Sequence, residues 1–176
     1  MLRYSLRRAT PQDASDLQRS CWQQWETDII AEMLDRVEKF AAKGRGYAAV
    51  SVCDGQVIGY GQLLSWAKVV EISDLIVAPA YRNQGIGTAL IHHLIGVAQG
   101  WGKTHIEIGA ALRNTQALAL YRRLGFGEDR LLHLELGNGL EPVVYLKMAL
   151  GGDGKQNDDN TSASENAWLS TQSRRN

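Results

Sequence analysis

A chain of 176 residues, 44% of them hydrophobic, suits one domain with a substantial core. Its 19 Lys and Arg balance its 19 Asp and Glu, and the formal net charge of zero gives no basic excess for nonspecific nucleic-acid binding, so no nucleic-acid partner is expected. No run approaches the roughly 20 apolar residues of a membrane span, the start from Met1 to Arg8 lacks the apolar segment of a signal peptide, and Cys21 and Cys53 have no Cys-x-x-Cys spacing; this predicts a cytoplasmic chain with ordinary reduced thiols and no membrane partner.

Tyr4 to Arg8 alternates and predicts a short first strand. Thr10-Pro11-Gln12-Asp13 then predicts a helix start, with Thr10 as cap and Pro11 at the first position. That helix is expected to run to about Trp25, with Ala14, Leu17, Cys21 and Trp25 on one face and Trp22 near its edge. A second helix is expected from Asp28 to Lys43, with Ile29, Met33, Val37 and Phe40 inward, ended by Gly44-Arg45-Gly46. Tyr47 to Cys53 and Gln56 to Ser65 read as strands, and Asp54-Gly55 between them is a hairpin signal.

The next strand, Val69 to Val77, slips in phase. Val70 and Ile72 are apolar at even positions, Leu75 and Val77 at odd ones, and strict alternation would put these pairs on opposite faces. One extra residue near Ser73-Asp74, a β-bulge, reconciles them. A strand buried on both faces is the other reading, which Ile76 supports.

The stretch from Ile72 to Trp101 organises the rest. The strand turns at Pro79, passes through Arg82-Asn83-Gln84-Gly85-Ile86-Gly87, and enters a helix whose apolar residues recur at Leu90, Leu94, Val97 and Trp101. Two glycines therefore stand where unpaired N–H groups and the positive end of a helix dipole meet, a candidate cradle for phosphate. No Lys-Ser or Lys-Thr pair follows, which rejects a mononucleotide P-loop. The dinucleotide pattern fits Gly85 and Gly87, but its third glycine position is Leu90. Glu107, about 20 residues on, suits that motif, yet it sits inside a strand pattern.

Thr104 to Gly109 predicts a further strand. Asn114 or Thr115 caps a helix with Ala117, Leu118, Leu120, Tyr121 and Leu124 as its apolar positions, and Gly125 ends it. Phe126 begins another strand with an interruption near Gly127-Glu128. Leu131–Leu136 and Val143–Ala149 form a hairpin around Asn138-Gly139, with Pro142 at the strand's edge. After Leu150 the composition turns to Gly, Asn, Asp, Ser, Thr and Gln. A domain over 1–150 and a disordered polar tail over 151–176 are expected, with Trp168-Leu169 the tail's one hydrophobic pair.

Arg82-x-x-Gly85-x-Gly87 resembles the R/Q-x-x-G-x-G/A loop of the GNAT acyltransferases, which bind acetyl-coenzyme A. Leu75-x-Val77-x-Pro79-x-Tyr81-Arg82 is similar to that family's fourth strand and turn. Asn114-x-x-Ala117-x-x-Leu120-Tyr121-x-x-Leu124-Gly125-Phe126 is similar to its next helix and strand start. The resemblance spans roughly residues 3 to 150. It implies an α/β GNAT fold, a central, mixed, mostly antiparallel twisted sheet flanked by helices.

It also implies an acetyltransferase using acetyl-CoA as co-substrate, with no metal, acting on a small-molecule or peptide amine as a monomer or homodimer. Residues 82–88 (Arg82, Asn83, Gln84, Gly85, Ile86, Gly87 and Thr88) would hold the cofactor's phosphates and Asn114 its pantetheine arm. A backbone N–H near Ile76 or Val77 would meet the thioester carbonyl. Tyr121 is the candidate acid. Glu71, eleven residues before Arg82, is the candidate base, with Asp74, Glu107 or a water relay competing. Arg122 and Arg123 stand near the cofactor's ribose phosphate in the same reading, with a solvated helix face as the alternative. The first two helices would wall the acceptor, with Trp22, Trp25, Glu26, Asp28 and Glu32 as candidate contacts. The competing readings are a non-catalytic CoA-binding module and an NAD-binding oxidoreductase.

Overall fold

The computed structural model describes residues 2–67, 69–136 and 139–151. Asn138 and the expected tail beyond Gly151, with its Trp168-Leu169 pair, lie outside the described residues.

Among the described residues, seven strands form one sheet: β1 (Ser5–Arg8), β2 (Gly46–Cys53), β3 (Gln56–Ser65), β4 (Val69–Val77), β5 (His105–Ala111), β6 (Gly127–Glu135) and β7 (Leu140–Ala149). Their order is β1-β2-β3-β4-β5-β7-β6. Among these described strands only β4 and β5 run parallel; every other neighbouring pair is antiparallel. The helices are α1 (Ala14–Ser20), α2 (Thr27–Ala41), α3 (Ile86–Gly100) and α4 (Thr115–Arg123). The crossover between the parallel strands is α3, as a parallel pair requires.

The two sheet faces are set by alternation along β3. Tyr60 meets the edge of the Trp22 ring at 5.4 Å, on the side of α1 and α2. The next residue, Gly61, points the other way, where a Cβ would stand 3.0 Å from a Leu75 methyl and 3.1 Å from a Leu94 methyl. A side chain at 61 would push α3 off the sheet. Leu90, Ile91, Leu94 and Ala98 of α3 are fully buried there; each of the three larger ones is worth about 2 kcal/mol of transfer free energy.

Local chemistry explains most boundaries. Asp54 and Gly55 both have positive φ, 48° and 80°, the twist that a two-residue hairpin needs. Asp13 turns its carboxylate back to the Thr10 N–H at 2.8 Å and takes a two-pronged ion pair from Arg7, which fixes the entry to α1.

Three expectations are corrected. The first helix stops at Ser20 rather than near Trp25, because the Trp22 N–H reaches back to the Leu17 carbonyl and the chain turns so that Trp22 and Trp25 stack at 5.1 Å. In α2 the buried stripe is Ile30, Met33, Leu34 and Val37; Ile29 is exposed. Pro142 lies in an inner strand, since β7 is inserted between β5 and β6. It is tolerated near the strand's start, where β5 has ended and its carbonyl accepts from Leu112 at 2.8 Å.

Candidate active site

The site begins where β4 and β5 part. Their ladder runs from Val69 and His105 to Ile72 and Ile108, and goes no further. Beyond it β4 follows β3 and β5 follows β7. The cause lies in β4. Between Tyr60 and Gln62 of β3, the partner on β4 moves from Ile76 to Ser73, one residue more than regular pairing allows. Asp74 takes φ 51°, a conformation that an Asp tolerates better than most residues. This is the bulge that the phase slip predicts.

A buried amide holds the bulge. Gln62 donates from Nε2 to Ser73 Oγ at 3.0 Å and to Asp74 Oδ2 at 2.8 Å, and its Oε1 accepts from the Tyr60 hydroxyl at 2.7 Å. Sequence reading missed Gln62; a lone Gln in an apolar strand was the available signal.

The parted strands open a cleft of about 200 Å³. Its walls come from the bulge (Ile72 to Leu75), from Ile108 to Ala110 of β5, and from Asn114 and Tyr121. Asn114 caps α4, accepting from the Ala117 N–H at 3.1 Å. Tyr121 is 5% exposed, and burial pushes its hydroxyl up to about 12.

The ladder also gives the backbone directions past the bulge. Ala78 donates to Ile58 at 2.9 Å, so by alternation the Ile76 N–H also faces β3 and the Val77 N–H faces the gap. Of the two expected groups, Val77 alone is aimed at the cleft. The carbonyl of Val77 points the same way and accepts from Arg82 Nε at 3.1 Å.

The glycine loop adjoins this cleft. Gly85 takes φ 82° as the N-cap of α3. The Ala89 N–H donates to the Gly85 carbonyl, while among the described residues no acceptor meets the N–H groups of Ile86, Gly87 and Thr88. A Cβ added at Gly87 would stand 3.8 Å from Val77 and 3.9 Å from Leu120, the neighbour of Tyr121. The helix start, the end of β4 and α4 therefore meet at one point. Ile86 itself is buried in the core, so only its backbone is available. Asn83 (φ 61°) and Gln84 shape the loop, Gln84 by donating to the Ala80 carbonyl at 3.3 Å. Arg122, a candidate for the ribose phosphate, is instead paired with Glu128.

Glu71 stands beside the cleft rather than in its lining. It is register partner to Glu107, and their side chains share the face of α1 and α2. Glu71 is 6% exposed; Trp66 Nε1 donates to it at 3.4 Å and the Tyr145 hydroxyl at 3.3 Å. Burial above all, then the neighbouring charges of Glu107 and Asp74, raise its carboxyl to about 7 against the two hydrogen bonds. Glu107 is held by Arg130 through both terminal guanidinium nitrogens, at 2.8 and 3.1 Å. A dinucleotide-binding role would need Glu107 to face a ribose; it faces Arg130, and Leu90 at the third glycine position is core.

Of the residues expected to contact an acceptor, Trp22 is a core residue, 5% exposed, and Trp25 stacks on it, half-buried. Cys21 and Cys53 are both buried and free, and burial raises the Cys21 thiol. Among the described residues no group of three or more His, Cys, Asp or Glu is placed to hold a metal ion, and no helix is long and apolar enough to cross a membrane.

A parallel pair splays at a bulge, and a glycine-led helix start stands at its open end. Residues 12–126 match the Acetyltransferase (GNAT) family, and the chain belongs to that family. Streptothricin acetyltransferase of Streptomyces lavendulae is 31% identical over 119 residues, 65% of this chain and 62% of the relative. The [Ribosomal protein bS18]-alanine N-acetyltransferase of Escherichia coli K12 is 38% identical over 79 residues, 44% of this chain and 53% of the relative. The chain thus spans between half and two thirds of these relatives' lengths. Among solved structures, yncA from Salmonella typhimurium with its cofactor acetyl-CoA superimposes with a TM-score of 0.71 at 22% identity, covering 86% of this chain and 96% of that one.

Proposed function

We propose that this chain transfers the acetyl group of acetyl-CoA to a primary amine by direct attack in a ternary complex. The observation that carries this reading is the junction at Gly87. There the helix start with its free N–H groups stands against the Val77 side chain at the end of β4 and against Leu120, the chain neighbour of the cleft-lining Tyr121. A ligand with a diphosphate at one end and a reactive carbonyl at the other, such as acetyl-CoA, would use all three. The fit rests on the geometry of the cradle: the orphan donors of residues 86–88, and open space at Gly85, where an added Cβ would meet nothing within 4 Å.

In this reading the N–H groups of residues 86–88, with Arg82 beside them, hold the diphosphate, and Asn114 bonds the pantetheine arm. The Val77 N–H stabilises the carbonyl oxygen as the new N–C bond forms and the C–S bond breaks. The acceptor amine has a pKa of about 10 and arrives as ammonium. Glu71 takes its proton through one water, since the carboxylate lies just behind the cleft lining. A carboxyl near 7 is ionised at pH 8 and is a far better base than an ordinary glutamate. The rate should rise with pH through about 7.

Tyr121 serves the departing sulfur. A hydroxyl near 12 keeps its proton throughout the working range. Full transfer to a thiolate whose thiol has a pKa of about 8.5 would be uphill by roughly 5 kcal/mol, so its part is a hydrogen bond to the developing charge. Tyr121→Phe is expected to lower kcat about ten-fold or more with coenzyme A affinity near unchanged. Unaltered kcat would remove Tyr121 from the reaction.

The two relatives define the first acceptors to try, a streptothricin-type amine and an N-terminal alanine peptide. Release of coenzyme A thiol, dependent on both acetyl-CoA and amine, tests the reading. Binding of acetyl-CoA with no turnover on any amine would favour a non-catalytic module.

A further inference from the structure

We propose that Arg130 is a positioning residue for the transfer step: by clamping Glu107 and lying over Tyr145, it leaves Glu71 as the one carboxylate of the buried pair that exchanges a proton with the acceptor. The proposal rests on Glu71 being the base.

Glu71 and Glu107 are direct neighbours across the parallel ladder, and both are buried. Two adjacent buried carboxylates cannot both carry charge at small cost, and left alone they would share a proton. Arg130 breaks that symmetry. It binds both oxygens of Glu107 in a bidentate ion pair and makes no such pair with Glu71. Its guanidinium lies 4.6 Å from the centre of the Tyr145 ring, and the Tyr145 hydroxyl donates to Glu71 Oε1. One cation thus reaches Glu71 through two residues, a carboxylate and a tyrosine.

The backbone shows why Arg130 arrives there. β6 carries its own bulge: Glu128 pairs with Leu146 and Arg130 with Tyr145, so Asp129 is the extra residue. In regular register Asp129 would stand opposite Tyr145 and bring a third carboxylate to the cluster. The bulge swaps the sign of the charge delivered. Asp129 then grips Arg130 from behind, its Oδ2 accepting from Nη1 at 2.7 Å.

Among the described residues, the charged and titratable groups around Glu71 are Asp74 on its own strand, Glu107 and His105 on β5, Tyr145 and Lys147 on β7, and Arg130 on β6. Trp66 adds a neutral donor from the end of β3. Arg130 holds Glu107 directly, whereas Lys147 faces it only in register.

The test is a carboxyl-carbon NMR titration of protein labelled in glutamate, with Glu71 assigned from the spectrum of Glu71→Gln. Arg130→Gln is expected to raise the Glu71 midpoint by about one pH unit, and the acid limb of kcat should move with it while acetyl-CoA affinity holds. Arg130→Gln with Glu107→Gln should return the midpoint close to that of the unaltered protein, because the uncompensated charge is gone. A midpoint unmoved in Arg130→Gln overturns the proposal. A midpoint that moves while the kcat limb stays fixed shows that Glu71 is not the base, and the positioning role falls with it. A general loss of fold would lower cofactor affinity too, and the double variant would not repair it.

Discussion

Glu71→Gln is expected to lower kcat at pH 8 by about 10²–10³-fold and, at the same pH, to raise the stability of the fold. The two effects have one cause. Unfolded, the carboxyl has its ordinary value of 4.5; folded, it is near 7. Below 4.5 both states hold the proton and burial carries no ionic penalty. As pH rises from 4.5 to 7 the unfolded chain ionises first, and stability is lost. Above 7 the loss is complete, at about 3 kcal/mol. Glutamine cannot ionise and keeps the hydrogen-bonding shape. The melting temperatures of the two proteins should therefore diverge across that window, with the variant higher at pH 8 and the two close at pH 4.5. Parallel melting curves across the window would show that Glu71 titrates normally. Full activity of the variant would remove it as base.

Gly87→Glu should weaken acetyl-CoA binding by about a thousand-fold. A carboxylate about 4 Å from a phosphate oxygen costs about 4 kcal/mol at a surface-like dielectric. The backbone at 87 is ordinary helix, and an added Cβ meets its neighbours at 3.8 and 3.9 Å, which is plain van der Waals contact. The fold should survive, so calorimetric titration reports on the cradle and not on unfolding. Gly85→Ala is a different kind of lesion. Its φ of 82° strains any side chain, so it should lower stability by about 1 kcal/mol as well as affinity. Retained affinity in Gly87→Glu would place the phosphates elsewhere.

The site's frame was legible wherever one stretch of chain carries its own signal. The phase slip between Ile72 and Leu75 gave the bulge, the Asn114 spacing gave a cap, and Arg82 to Gly87 gave the helix start. Each follows from a local period or a local conformational demand. What was not legible depends on strand order. Arg130 and Tyr145 reach the carboxylates only because β7 is inserted between β5 and β6. No spacing along the chain records that insertion, and the bulge at Asp129 was visible only as an interruption near Gly127-Glu128. Gln62 was hidden for the same reason, since its partners arrive from β4. The end of α1 was misread because Cys21, Trp22 and Trp25 keep helical spacing, while stacking of the two indoles and the contact of Trp22 with Tyr60 turn the chain instead. Tertiary packing overrides local propensity there. Ile29 and Ile30 show a smaller version of the limit: adjacent isoleucines leave the helix phase open by one residue, and burial decides it for Ile30.

In the proposed reading, acetyl-CoA binds where the glycine loop, the end of β4 and α4 come together. The most direct measurement is a thermal-shift titration with acetyl-CoA, coenzyme A and NAD in parallel. A ligand that binds the native state at a hundred times its Kd adds about 2.7 kcal/mol of apparent stability. A saturable rise in Tm is expected with both coenzyme A species and none with NAD. A rise with NAD alone, or no rise with either coenzyme A species, would contradict it.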